Sequence, residues 1–282
     1  MASENKKPII VGFVSDLLFN VQIENVARHL GFQMQWIERA SDLAPAEPGA
    51  PGESPGELLH GQGGALFSKI SQWQPALLLF DLSNNDVPWR HWIASLKSSP
   101  ATRRIPVLCF GAHVDTNAFQ DARKMGADTV VARSRFSSAM PNLLQQNARR
   151  WDQIALQEAC SEPLADLATK GIAMFNDGHF YKCHDFLEEA WMADNSAGRD
   201  LYRGILQVGI AYYQIERGNY RGALKMLLRV RQWLEPLPDI CRQVNVARLR
   251  DDVERVNRAL EALGPEGMSA IDRDLFRQIE VV

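Results

Sequence analysis

The sequence predicts two architectures in one chain: an α/β, doubly wound parallel sheet of five strands, followed by an all-α helical bundle. Three observations carry this. Short apolar runs rich in β-branched residues alternate with amphipathic stretches up to about residue 150. Beyond Trp151 the apolar residues recur only at helical spacing. The 282 residues suffice for two ordinary domains. The expected layout is a sheet domain over 1–148, a linker helix over 149–163 and a helical domain over 164–282, the linker running from about Ser138 through Arg150 toward Cys160.

Residues 9–14, IIVGFV, suit a buried strand. LLFNVQIENVARHLGF follows as a helix, with Val21, Val26 and Leu30 assigned to its apolar face and Gly31 at its end. QMQWIE is the second strand. Residues 44–64 carry four prolines and six glycines, a composition that builds neither helix nor ladder, and are expected to form a flexible surface loop. Residues 76–82, ALLLFDL, form the third strand, with Asp81 at its C-terminal edge. WRHWIASLKSS is a helix, IPVLCFG a strand, NAFQDARKMGA a helix, DTVVA a strand and SSAMPNLLQQNARRW the last helix. Such alternation implies a parallel sheet covered on both faces. Sheets of this kind carry their sites at the C-terminal strand edges, which brings Asp16, Asp81, Gly111 and Arg133 to one crevice.

The marks FDL at the third strand, IPVLCFGA at the fourth and KMGADTVVARS around the fifth resemble the receiver domain of two-component response regulators, a flavodoxin-like fold, over about residues 7–148. The resemblance puts Asp81 at the phosphorylated aspartate, Gly111 where receivers carry Thr or Ser, and Arg133 where they carry Lys. The acidic pair that binds Mg²⁺ in receivers would follow the first strand, but Val14 and Ser15 stand there with only Asp16 beside them. A hard cation needs oxygen ligands and charge, Gly111 offers no hydroxyl, and Arg133 keeps the charge without the compact ammonium. The expectation is a pseudo-receiver that binds or dimerises, with Asp81 an inactive phosphoacceptor position.

In the second half, LADLATKGIAMFN (164–176), residues 179–193, residues 200–217 and YRGALKMLLRVRQWL read as four helices. Phe175-Asn176-Asp177-Gly178-His179-Phe180 and Ile215-Glu216-Arg217-Gly218-Asn219-Tyr220 repeat one pattern of helix, glycine turn, aromatic and helix at a spacing of forty. Two hairpins favour a compact four-helix arrangement over a solenoid. Val246, Leu249, Val253, Val256, Leu260 and Leu263 form a seam of heptad type, expected to pack on the bundle, with homodimerisation as the rival.

HDFLEEAW, RGILQVGIAYYQIERGN and YRGAL, in that order, resemble a bacterial and archaeal helical family known as domain of unknown function 309, over about residues 165–235. The resemblance puts the family's polar positions on His184, Asp185, Glu188, Trp191 and Gln207, with Gly218-Asn219 and Gly222 shaping the turn. Asp185 stands where the family often has Glu. The family implies a bundle and no established activity.

His184 and Glu188, four apart, share a helix face. A metal site would need three or four ligands, and no further histidine on these helices supplies them, so neither metal nor cofactor is expected. Hydrogen-bonded to Glu188, His184 would be oriented and could shuttle protons, with Gln207 from the facing helix orienting a substrate carbonyl or closing the network. As a buried polar network with Gln207, covered by Trp191, they would fix the helix register. On this reading Phe180, His184, Leu187, Glu188 and Trp191 form one stripe facing the interior. Tyr212, Tyr213, Tyr220, Trp191 and Trp233 read as core aromatics, and the arginines of RGNYRGALKMLLRVRQ as a solvated face.

A net charge of −3 and a pI near 6.1 give no electrostatic case for nucleic acid or anionic membrane. The N-terminus lacks the apolar run of a signal peptide, and no stretch reaches the ~18 apolar residues of a membrane span. Cys109, Cys160, Cys183 and Cys241 are scattered and expected to be reduced thiols in a cytoplasm. Together these readings predict a bacterial-type, cytosolic signalling or regulatory binding protein, with a protein partner or small ligand in the helical groove. The rival is an enzyme of acid–base or metal-assisted hydrolytic type that uses His184 and Glu188, with Gln207 as an auxiliary.

Overall fold

A computed structural model of the chain describes residues 7–44 and 61–282. The chain divides into two compact units after Arg150.

In the first unit the strands are β1 (Ile9–Phe13), β2 (Gln33–Trp36), β3 (Leu77–Asp81), β4 (Val107–Gly111) and β5 (Thr129–Ala132). All pair in parallel, in the order β2-β1-β3-β4-β5. That is the flavodoxin-like, receiver-type order, in which the chain reverses direction beside β1 and β3. The helices are α1 (Leu17–His29), α2 (Gly61–Trp73), α3 (Trp89–Ser98), α4 (Thr116–Lys124) and α5 (Arg133–Asn147).

Strand alternation builds two cores. Val11, Phe13, Leu78, Phe80, Val107 and Cys109 face α2, α3 and α4, where they meet Ile70, Trp92 and Ala122. Ile10, Leu77, Leu79, Leu108 and Phe110 face α1 and α5, where they meet Ile23, Ala27, Phe136 and Leu144. Both faces are covered, so β3 and β4 are buried at every residue.

The expected apolar face of the first helix holds for Val26 and Leu30, which pack on the core, and is corrected at Val21. Val21 is 58% exposed, and Phe19, Asn20, Ile23 and Ala27 are the buried residues of α1. Asp16 caps the helix through a bond from the Phe19 N–H and so fixes its phase. The expected loop 44–64 falls mostly on residues 45–60, outside the described residues; its last residues, from Gly61, already belong to α2.

The linker is also corrected. It is two helices separated by extended backbone at Ala148, since α5 ends at Asn147 and α6 (Gln153–Ser161) starts afresh on the Asp152 cap. The Arg149 N–H donates to the Ala76 carbonyl and its guanidinium to the Pro75 carbonyl, which holds this segment on the sheet unit.

The second unit holds α6, α7 (Asp166–Asn176), α8 (Cys183–Ala193), α9 (Asp200–Glu216), α10 (Tyr220–Leu234), a short hairpin of β6 (Ile240–Cys241) and β7 (Val244–Asn245), and α11 (Val246–Gly267). The repeated glycine turns close alike: Gly178 and Gly218 both take positive φ, and His179 N–H to Met174 O matches Asn219 N–H to Gln214 O. Each closes a helix with the six-to-one bond of a Schellman turn. Of the heptad-type seam, Val246, Leu249, Val253, Val256 and Leu260 are buried inside this unit. The C-terminal arm is tied down by the Asn176 side chain, which bonds both backbone groups of Ile279, and by Phe276 stacked on Tyr212 at 4.3 Å.

Cys160 and Cys241 form a disulfide, so the expectation of four reduced thiols is wrong. Cys109 and Cys183 are free and buried. A separation of 81 residues carries no spacing signal, and the argument from thiols to a reducing compartment falls with it. No helix among the described residues is long and apolar enough to cross a membrane. Since the bridge closes a long loop, reduction is expected to destabilise the helical unit by about 2–4 kcal/mol. Urea unfolding with and without reductant, read against a Cys160→Ser/Cys241→Ser variant, measures this.

Candidate functional site

Asp81 is the last residue of β3 and only 2% exposed. Its Oδ1 accepts the Ser83 N–H at 2.9 Å, and its Oδ2 accepts a bond from the Arg133 guanidinium. Arg133 opens α5 immediately after β5, and its other terminal nitrogen reaches Asp16 Oδ2 at 3.3 Å. The guanidinium carbon lies 5.0 Å from the Phe19 ring centre and 5.4 Å from that of Phe110. One arginine therefore bridges both carboxylates of the crevice and rests on two aromatic rings.

Gly111 ends β4 beside them, and a β-carbon there would lie 3.1 Å from Leu82 Cβ, so the position is crowded as well as bare. Burial raises the Asp81 carboxyl above its ordinary range. The bond from Ser83 and the charge of Arg133 pull it down, but by less. Asp16, Asp81, Gly111 and Arg133 do come together, and the cation they gather around belongs to the chain itself.

In the helical unit the polar residues fall differently from expectation. The buried residues of α8 are Cys183, Leu187 and Ala190, a stripe one residue, about 100°, away from His184 and Glu188. His184 sits in the first turn, where its Nδ1 meets the Tyr181 carbonyl at 2.6 Å and its Nε2 lies 3.2 Å from Asp185 Oδ1. Asp185 and Glu188 are exposed. The expected His184–Glu188–Gln207 network is thus replaced by local bonds. Because α8 starts at Cys183 rather than near residue 179, the preceding turn offers His184 a closer acceptor. Cys183 faces the interior instead; its thiol donates to the Phe180 carbonyl at 3.0 Å, and burial pushes its pKa up to about 12.

Gln207, Glu188 and Trp191 do share a place. They line a cleft of about 210 Å³ with Arg203, Leu206, Ile210, Met226 and Arg229. Two close approaches of α9 shape it. A β-carbon on Gly204 would lie 2.4 Å from Leu234 Cδ2 of α10, and one on Gly209 would lie 2.7 Å from Cys183 Sγ of α8.

The Arg203 guanidinium carbon lies 4.4 Å from the Trp191 ring centre and 4.2 Å from that of Trp233, and that of Arg199 lies 4.4 Å from the Trp191 ring centre. Gln207 is 5% exposed, and its Oε1 has no hydrogen-bond partner; the Trp191 Nε1 is likewise buried without one. Sequence reasoning missed Arg203 and placed Arg229 on a solvated face rather than in the cleft wall. The available signal was the i, i+3, i+4, i+7 run of Arg203, Leu206, Gln207 and Ile210, which marks one face of α9. Among the described residues no three His, Cys, Asp or Glu side chains gather as a ligand set.

Residues 168–226 match a family model described as Domain of unknown function (DUF309). An uncharacterized protein of Aquifex aeolicus (strain VF5) is 28% identical over 93 residues, which are 33% of this chain and 28% of that relative's length. The sheet unit is similar to solved receiver domains. A response-regulator receiver domain from Bermanella marisrubri has a TM-score of 0.37 at 18% identity, covering 50% of this chain and 96% of that one. The chemotaxis response regulator CheY4 of Vibrio cholerae has a TM-score of 0.37 at 8% identity, covering 50% and 98%.

Two outcomes are expected. Because its native pKa is raised, Asp81 contributes stability that is complete below the ordinary carboxylate pKa of about 3.8 and lost as pH rises through the native value. Asp81→Asn should therefore gain on the wild type between pH 3 and pH 7, as measured by denaturant unfolding of both at each pH. Gly204→Ala should cost about 1–3 kcal/mol by overpacking α9 on α10, seen as a lowered denaturation midpoint.

Proposed function

We propose that this chain is a regulatory binding protein in which the receiver-type unit is a fixed module and the helical unit binds a ligand. The observation that carries this reading is the Arg133 bridge. A phosphoacceptor needs a free carboxylate oxygen and a divalent cation beside it, whereas both Asp81 oxygens have partners and Asp16 is committed to the same guanidinium. An arginine is a permanent cation, so this crevice has no emptied and filled states to signal between. The helical unit supplies the binding surface, a cleft lined by polar Glu188, Arg203, Gln207 and Arg229 and by apolar Leu206, Ile210 and Met226. The rival enzyme reading drew on a His184–Glu188 pair, and His184 is engaged with Tyr181 and Asp185 instead.

The test is incubation of the full chain with Mg²⁺ and acetyl phosphate, followed by intact-mass measurement. No stoichiometric phosphoryl adduct is expected. An adduct that disappears in Asp81→Asn would overturn the reading.

A further inference from the structure

On one face of the helical unit, charge is sorted by helix. There α9 lies between α8 and α10: Arg203 touches Trp191 of α8 and Trp233 of α10, and Glu188 and Arg229 line the cleft on either side of α9. Along this face α9 shows Leu206, Ile210 and Tyr213, all half-buried, with Arg203 and Arg217 at the two ends. The spacing of four and three is that of a heptad seam. On one flank, α8 carries Asp185, Glu188 and Glu189 and no Lys or Arg. On the other, α10 carries Arg221, Lys225, Arg229 and Arg231 and no Asp or Glu. Asp185, Glu188, Arg221 and Lys225 are exposed. Tyr181, 52% exposed, and Met192, 61% exposed, add apolar surface at the two ends of the acidic flank.

Both flanking helices run opposite to α9, and two contacts fix their levels. Trp191, Arg203 and Trp233 meet at one end, and the Tyr181 and Tyr213 rings lie 4.9 Å apart toward the other. One turn in from the tryptophans, Glu188 and Arg229 stand level with Leu206. A further turn on, Asp185 and Lys225 stand level with Ile210.

We propose that this face is a homodimer interface, on which a second copy of the chain covers the α9 stripe. The proposal rests on the reading of the helical unit as the binding half and names its partner.

An interface between identical copies uses one patch twice. A two-fold axis along α9 preserves every level and lays α8 of one copy over α10 of the other. Glu188 then faces Arg229 of the second copy, and Asp185 faces its Lys225. Leu206, Ile210 and Tyr213 meet their own counterparts along the axis. An axis across α9 would instead lay α8 on α8 and α10 on α10, opposing like charges. The sorted flanks therefore favour the first arrangement.

The size of the face fits a reversible contact. At 1.5 Å per residue the stretch from Arg203 to Arg217 is about 21 Å long, and three helices side by side span a little under about 30 Å. That is roughly 600 Å² on each copy, the low end of specific interfaces, for which an affinity of about micromolar order is expected.

The experiment is sedimentation velocity of the full chain from about 1 µM to about 200 µM, a range that brackets such an affinity. A monomer–dimer equilibrium is expected, weakened by added salt. Asp185→Lys and Lys225→Glu change exposed side chains and set like charges face to face twice in each dimer. Each should weaken association at least tenfold. An equimolar mixture of the two variants should dimerise as the wild type does, because both facing pairs are again of opposite sign. Such a rescue cannot come from misfolded chains.

A chain that stays monomeric throughout overturns the proposal. So does a dimer that both variants form as tightly as the wild type, since it would use another surface. Failure of the mixture to recover overturns the axis and the pairing. A monomer would leave the sheet unit's reading as a fixed module standing, whereas a phosphoryl adduct on Asp81 would overturn that reading and leave the interface untouched.

Discussion

Gly204 and Gly209 set the distance at which α9 lies from its neighbours, and much of the helical unit follows from that distance. Neither site has room for a β-carbon, because Leu234 of α10 occupies one and Cys183 of α8 the other. With α9 drawn in on both sides, Tyr202, Ile205, Val208 and Tyr212 are fully enclosed. Near the start of the same helix Arg203 lies against both Trp191 and Trp233. On its outer face α9 is left with Arg203, Leu206, Gln207 and Ile210, which become the floor of the cleft. Close packing and site are consequences of one pair of missing side chains.

Fixed arginines recur across the chain. Arg133 ties Asp16 to Asp81. Arg203 lies against two indoles. Arg242, 4% exposed, reaches Tyr202, Ser196 and Asp194 from the hairpin next to the disulfide, while its backbone N–H donates to the Cys160 carbonyl. A planar, permanently charged fork can satisfy several acceptors in fixed directions, which a lysine ammonium cannot do with the same geometric definition. In the crevice that property yields a permanent bridge between two carboxylates. In the helical unit it lets Arg203 lie against both Trp191 and Trp233.

Much of the architecture was legible in the residues. The five strands lie where the apolar runs put them, the four central helices have nearly the expected bounds, and Gly178 and Gly218 end their helices as the repeat implies. Strand runs such as LLLFD signal burial on both faces through unbroken apolarity, and a glycine at a left-handed turn is a local requirement. The convergence of Asp16, Asp81, Gly111 and Arg133 was legible too, because parallel topology alone brings the ends of β1, β3, β4 and β5 to one edge.

What the sequence by itself determined was the kind and order of the elements; tertiary structure decided which way their faces turned and which distant groups met. On α1, Val21 and Ile23 are both β-branched and apolar, and only docking on the sheet chose Ile23 as the buried one. On α8 the start at Cys183 turned the buried stripe away from His184 and Glu188 and gave His184 to the Tyr181 carbonyl. The pairing of Cys160 with Cys241 and the contact of Arg203 with Trp191 and Trp233 join groups whose separation along the chain carries no periodic signal. Periodicity records the local repeat of the backbone, whereas helix phase and long-range contact are settled by the global fit of side chains in a close-packed interior.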